Sequence, residues 1–256
     1  MRDSGLDEAI RVVGGVSELA RKLGISQPSV SGWTRVPIER VGAVEEATGV
    51  DRATLRPDLY GAAPDPVRDV EAARSRQYAL LAALLARAPD ADLLARLAKL
   101  RGDASPLGIA HVALAQAASE TTADRLQREY FDLFIGLGRG ELLPYGSYYL
   151  TGFLHERPLA RLREDLKALG LERAAGNIEP EDHAAILCEI MAGLADGQFA
   201  APAGSEQRIF ERHLKPWIGR FFADLERAEA ADFYARVGTV GRLFIDIETE
   251  AFALPS

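Results

Sequence analysis

Three carboxylates and an imidazole fall within five residues at Glu179–His183, EPEDH. Carboxylates aimed into a groove of large apolar side chains would suit a ligand that combines cationic groups with an apolar stretch. Glu179, Glu181 and Asp182 supply the charge. Tyr145, Tyr148, Tyr149, Phe153 and Trp217 are the expected lining, because aromatics cover much area with few rotors and Tyr adds a polar edge. His183 reads as a hydrogen-bonding or pH-sensitive group beside that surface. A plainer reading stays open, in which Pro180 opens a helix and Glu181 and Asp182 complement its positive end.

Other chemistries find little support. The four histidines (His111, His155, His183, His213) sit on separate segments, and no HExxH pattern occurs, so no metal site is expected. Gly136, Gly138 and Gly140 suggest a phosphate loop, but the third glycine comes one residue early for GxGxxG and no Lys-Ser/Thr follows. Nucleotide binding is therefore not expected. The glycines instead end the helix ADRLQREYFDLFI and let the chain swing to Pro144, after which Ser147 is placed to cap a short helix. No nucleophile–base pair or carboxylate pair converges, so an enzyme is the weakest reading.

The elements that must hold these residues are helical. Ala and Leu dominate the 256 residues and β-branched residues are sparse, which predicts an all-α fold. Helices are expected over Val67–Ala88, Ala91–Arg101, Leu107–Ser119, Ala123–Ile135, Pro158–Leu169, Pro180–Ala195, Glu206–Arg227 and Ala231–Phe252, with apolar residues at helical spacing. His213 and Trp217 share one face there, with Pro216 marking a kink, and Phe210, Leu214, Trp217, Phe221 and Phe222 read mostly as core.

Before Gly61 the rhythm differs. Short helices (Leu6–Val13, Ser17–Leu23, Gln27–Arg35, Glu39–Thr48) are punctuated by glycines. The predicted organisation is a small domain over residues 1–60, a two-proline linker over 61–66, and a large helical domain over 67–256.

Net charge is −8, which argues against a non-specific nucleic-acid binder. The single cysteine, Cys188, excludes an internal disulfide and reads as a small buried hydrophobe. The opening MRDSGLDEAI lacks a signal-peptide core, and no run approaches the length that spans a bilayer, so a cytoplasmic protein without membrane insertion is expected.

Ser17–Arg35, SELARKLGISQPSVSGWTR, has the build of a helix-turn-helix, and with the residues through Gly61 it resembles Cro/YdaS-type phage-repressor domains. Ser17 and Ser26 are the expected caps, Leu19, Ala20 and Leu23 the inner face, and Ile25 the corner plug. On the second helix Val30 and Trp33 face inward. Gln27, Ser29, Ser31 and Arg35 face outward, suited to base edges and phosphates, with Arg21 and Lys22 on the rim. Yet residues 1–60 hold eight Lys/Arg against nine Asp/Glu, a poor balance for neutralising phosphate. DNA binding and protein contact both remain open for it.

Tyr130–Tyr149 (YFDLFIGLGRGELLPYGSYY), EPEDH and Phe210–Glu226 (FERHLKPWIGRFFADLE) closely resemble the TorD/DmsD family of molybdoenzyme-maturation chaperones, from about Arg68 onward. The resemblance implies an all-helical chaperone, not an enzyme, with a hinge that the loop of Gly136, Gly138 and Pro144 would form. It would bind the twin-arginine leader and apo catalytic subunit of a client such as a formate dehydrogenase, a nitrate reductase, or a sulfoxide or N-oxide reductase. It implies no stably bound cofactor, only transient contact with molybdopterin guanine dinucleotide through the client. Some relatives exchange halves between subunits, so a homodimer is compatible with it. The rival class is a DNA-binding transcription regulator in which the helical domain acts as sensor.

Overall fold

The computed structural model describes residues 2–60, 66–172 and 179–254, and every regular element among them is helical. Contacts divide the chain into two compact units, Met1–Asp69 and Val70–Ser256. Residues 61–65 of the expected linker lie outside the described residues, and Pro66 begins a helix.

Six short helices build the small unit: α1 (Ser4–Val13), α2 (Val16–Leu23), α3 (Gln27–Ser31), α4 (Val41–Thr48), α5 (Arg52–Leu55) and α6 (Pro57–Tyr60). Leu6, Ala9, Leu19, Ala20, Val30, Val36, Val41, Val44 and Leu55 meet in its core. Each large side chain removed from water there contributes about 1.5–3 kcal/mol. Gly24, at φ +64°, makes the tight turn between α2 and α3 in a conformation that favours glycine. Ile25 and Trp33 pack against the core from its edge.

Two sequence expectations fail here. The second helix of the pair ends at Ser31 rather than Arg35, with Gly32, a poor helix former, as its C-cap. The caps differ as well. Gly15 precedes α2 in place of Ser17, and the Ser26 hydroxyl pairs with the Ser29 hydroxyl (2.7 Å) instead of a backbone N–H.

The large unit contains α7 (Pro66–Ala86), α8 (Ala91–Leu97), α9 (Pro106–Glu120), α10 (Ala123–Tyr130), α11 (Gly146–Thr151), α12 (Arg157–Ala168), α13 (Ala184–Ala195), α14 (Ser205–Ile209), α15 (Ile218–Arg227) and α16 (Phe233–Ala251). Its core joins Tyr78, Leu81, Leu84 and Leu85 of α7 to Leu114 of α9, Leu187, Cys188 and Met191 of α13, and the aromatics Phe210, Trp217, Phe221, Phe222, Tyr234 and Phe244. Helices α15 and α16 pack closely because Gly241 leaves room for the Phe222 ring. A Cβ at Gly241 would come within 2.3 Å of that ring. Cys188 is fully buried, and burial pushes its thiol up to about 12.

Two helices end in π turns, Phe131–Ile135 after α10 and Phe210–Leu214 after α14. The first closes when the Gly136 N–H donates to the Phe131 carbonyl (2.7 Å). The glycine loop then doubles back, with the Glu141 N–H donating to Asp132 O and the Leu142 N–H to Leu133 O. Gly140 lies so close to Phe134 that a Cβ would meet its carbonyl carbon at 2.5 Å. The expected continuous helix over Glu206–Arg227 is therefore interrupted after Leu214 and restarts at Ile218, as Pro216 requires.

Candidate functional site

The glycine loop delivers Pro144–Ser147 alongside Asp182–Ala184. The Gly146 N–H donates to the Asp182 carbonyl (2.9 Å) and the Ala184 N–H to the Pro144 carbonyl (2.8 Å). These bonds form an isolated antiparallel bridge between Tyr145 and His183. The two segments are thus laced together.

The bridge changes where the helix begins. Residues 180–183 are turn and bridge, and α13 starts at Ala184. His183 is its N-cap, its Nδ1 accepting from the Ala185 N–H (3.1 Å). Pro180 therefore does not open a helix, and Glu181 and Asp182 do not sit in a first turn. Asp182 caps a different helix. Its Oδ2 accepts the Ser147 N–H (2.7 Å) at the start of α11, the task expected of the Ser147 hydroxyl. Only 3% of Asp182 and 6% of His183 are exposed.

His183 lies in the bridge and Asp182 in the turn just before it, and the two side chains line different cavities. His183 lines a cavity of about 590 Å³ together with Glu179, Glu189 and Tyr130. Its far wall is the alanine stripe Ala79, Ala82, Ala83 and Ala86 of α7, and Asp90, Arg87 and Arg96 stand at its edge. Asp182 lines a separate cavity of about 290 Å³ with Gly146 and His213. The four polar residues of EPEDH do not share one groove.

Glu179 accepts a hydrogen bond from the Tyr145 hydroxyl (2.7 Å), and the Tyr145 ring stands edge-on to His183 at 5.0 Å. Burial, reinforced by that bond to Glu179, raises the Tyr145 pKa, and burial beside Glu179 pushes Tyr130 up to about 12. Burial holds His183 below 6.5 despite the opposing charges of Glu179 and Asp182. Its desolvation cost exceeds the attraction of its neighbours, so the ring is neutral near pH 7. Glu181 turns aside to Arg163 on α12 (2.7 Å).

A third cavity, about 420 Å³, lies on the other side of α13. It is walled by Leu166, Leu171, Ile186, Ile190 and Phe199, with Arg163, Lys167, Glu172, Glu181 and Glu189 around it. Ile186 and Glu189 border both this cavity and the one beside His183. A chamber edged by charges of both signs and a more apolar chamber therefore meet along one helix.

The expected aromatic lining is largely elsewhere. Trp217 is 2% exposed, its indole N–H donating to the His213 carbonyl (2.6 Å) and its ring against Gly146, so it holds the loop from beneath rather than facing a ligand. Tyr149 donates to Asp224 (3.1 Å) and packs on Trp217 and Phe221. Tyr148 accepts from Arg139 (3.1 Å). Phe153 is 69% exposed just after α11 and lines none of the three chambers. Ser147 is buried within α11. Gly136 and Gly138 adopt φ of +61° and +92° in the loop, and Pro144 contributes the bridging carbonyl. Of the predicted group, Glu179, His183 and Tyr145 come together.

Sequence reasoning missed the alanine wall, Tyr130, Glu189 and the aliphatic chamber. The alanines had a visible signal, since positions 79, 82, 83 and 86 share one helical face. Glu189 and Phe199 had none, because their roles depend on which helices meet.

In the small unit, Gln27, Ser29, Ser31 and Arg35 are exposed as expected. The rim, however, is engaged within the unit. Arg21 pairs with Glu18 on its own helix, Arg35 lies 3.6 Å from Asp58, and Lys22 donates to the Ala47 carbonyl. No group of three His, Cys, Asp or Glu side chains among the described residues is arranged to hold a metal ion, and no helix there is long and apolar enough to cross a membrane.

Residues 101–223 match the family model described as nitrate reductase delta subunit, and residues 6–64 match that of bacterial toxin YdaS. The chain is 29% identical over 129 residues to the chaperone protein TorD of Vibrio cholerae serotype O1, covering 47% of this chain and 59% of that protein. It is 47% identical over 58 residues to YdaS of Escherichia coli K12, described as a transcriptional regulator, covering 20% of this chain and 59% of that one. The chain thus spans about three-fifths of the length of these relatives. A solved Archaeoglobus fulgidus chain, described as a redox enzyme maturation protein, is 23% identical with a TM-score of 0.48, over 68% of this chain and 93% of that one.

Proposed function

We propose that this protein, whose residues 101–223 match the nitrate reductase delta subunit model and whose residues 6–64 match that of YdaS, is a cytoplasmic maturation chaperone. It holds the twin-arginine leader and unfinished catalytic subunit of a molybdenum-cofactor oxidoreductase until the cofactor is in place, and it catalyses no reaction itself. The observation that carries this reading is the meeting of two chambers along α13. The leader's guanidinium groups lie toward Glu179 and Glu189, where charge-assisted hydrogen bonds to carboxylates are strongest. Its apolar segment crosses Ile186 into the chamber of Leu166, Leu171, Ile190 and Phe199. The alanine wall of α7 lets a peptide backbone approach closely.

Titration with twin-arginine leaders and their twin-lysine versions tests this. Lysine cannot reproduce the bidentate geometry of arginine, so the twin-lysine leader binds more weakly. Glu189→Lys reverses an exposed charge on the shared ridge and weakens leader binding without lowering stability. Equal affinity for both leaders, or an unchanged affinity in Glu189→Lys, rejects the reading.

A second reading, operator binding by the small unit, is supported by the outward face of Gln27, Ser29 and Ser31 and weakened by the paired rim. Joint substitution of Arg21, Lys22 and Arg35 by Ala abolishes DNA binding under it and leaves leader binding unchanged.

A further inference from the structure

The cavity on the Asp182 side of the bridge has chemistry that the leader does not use. Oδ2 of Asp182 is engaged by the Ser147 N–H, but Oδ1 is buried without a hydrogen-bond partner. The Ser147 hydroxyl is buried and unpartnered as well. The two residues are joined by that hydrogen bond, and Asp182 itself lines the cavity. A buried carboxylate oxygen without a donor costs free energy that a ligand's N–H or O–H would recover.

The same cavity is lined by Leu150, Pro158, Arg161, Arg212 and His213. Asp165 takes both Arg212 (2.9 Å) and His213 Nε2 (2.7 Å), and of this cavity's two arginines Arg161 has no partner among the described residues. With Arg212 paired to Asp165, the guanidinium of Arg161 favours an anionic group on the ligand. The ligand must bring a hydrogen-bond donor for Asp182 and an anion for Arg161. Apolar surface continues outside the cavity, since Leu150, Phe153 and Leu154 are exposed at and just beyond the end of α11. A free small molecule would leave those side chains bare, whereas a peptide would cover them.

We infer that this second cavity receives an acidic residue of a client polypeptide, flanked by apolar residues. Its main-chain N–H donates to Asp182 Oδ1 and its carboxylate pairs with Arg161. The inference rests on the reading of the protein as one that holds an unfinished client. The occupant differs in charge from the leader and enters from the opposite side of the Tyr145–His183 bridge.

The full chain is titrated with the blocked peptide acetyl-Leu-Asp-Phe-amide and its Asn counterpart, following the amide resonances of Gly146 and Ser147. The Asp peptide shifts both resonances, and the Asn peptide binds roughly tenfold more weakly. Arg161→Glu, an exposed change, also weakens the Asp peptide roughly tenfold while leader affinity stays unchanged. Asp182→Asn is a harsher probe because it disturbs the α11 cap, so Arg161→Glu decides where that variant unfolds. Absence of binding, equal affinity for Asp and Asn peptides, or no effect of Arg161→Glu overturns the inference. So does competition by free aspartate as strong as by the peptide, which would assign the cavity to a small molecule. Leader binding is read in the same samples. If it fails while the Asp peptide binds, the leader reading falls and this one stands.

Discussion

The two units use their carboxylates differently. In the small unit most act close to home: Asp3 caps α1 at Leu6, Asp51 caps α5 at Ala53, and Glu8 and Glu18 pair with arginines three residues on, whereas Glu45 pairs with Arg52 and Asp58 lies beside Arg35. In the large unit they reach across the chain. Asp182 caps α11, Glu129 accepts the Asp232 and Tyr234 N–H groups at the start of α16, and Glu141 accepts those of Glu229 and Ala230. Glu248, buried in α16, binds Arg74 and the Tyr78 hydroxyl on α7. Local pairs stabilise a helix that would form in any case. Long-range ones decide which helix ends meet, and so shape the cavities between them.

The contrast breaks first at Glu248. Glu248→Ala leaves the Arg74 guanidinium, only 18% exposed, with one carboxylate partner, Glu206, and costs about 3–5 kcal/mol in denaturant unfolding of the large unit. Each unit contains one tryptophan, Trp33 and Trp217, so a Trp33→Phe background reports the large unit by fluorescence. A cost below about 1 kcal/mol would place this cluster with the local pairs.

Asp182→Ala comes next, at about 1–3 kcal/mol, because it exposes the α11 N-terminus and leaves the buried Ser147 N–H without its acceptor.

The pH dependence is smaller and has a defined sign. Burial holds His111, His183 and His213 below 6.5, so the unfolded chain binds more protons as pH falls through that value. The contribution of these histidines to the large unit's stability is full above pH 6.5 and declines as pH drops from there toward the lower folded values. His183→Asn retains a capping oxygen and removes one titrating group, which flattens that decline in melts recorded across the pH series. The smallest effect is expected in the small unit. Arg21→Ala removes an exposed pair and leaves its unfolding midpoint unchanged within error.

The same contrast sets what could be read from sequence. Helix content, the aromatic core from Phe210 to Phe222 and the buried Cys188 followed from composition and spacing. Ser17 and Ser147 carry the local signature of a cap but supply none, and Ser26 holds the N-cap position while its hydroxyl bonds Ser29, because hydroxyl-bearing residues near helix starts signal a cap whether or not they supply it. The start of α13 was misplaced for a related reason. Pro180 and its acids fit a first turn by local rules, but two hydrogen bonds to residues 144 and 146 draw the chain into a bridge instead. The placing of Asp182 and His183 in separate cavities goes with that bridge, and nothing within EPEDH itself could have announced it.

The lone thiol has a practical consequence. Cys188 is enclosed on every side by the large unit, and its proton is held to about 12, so a native molecule offers an alkylating reagent almost no thiolate. Once the helices part, the same sulfur becomes an ordinary reactive thiol. Labelling therefore counts openings of the large unit one molecule at a time, with no engineered probe.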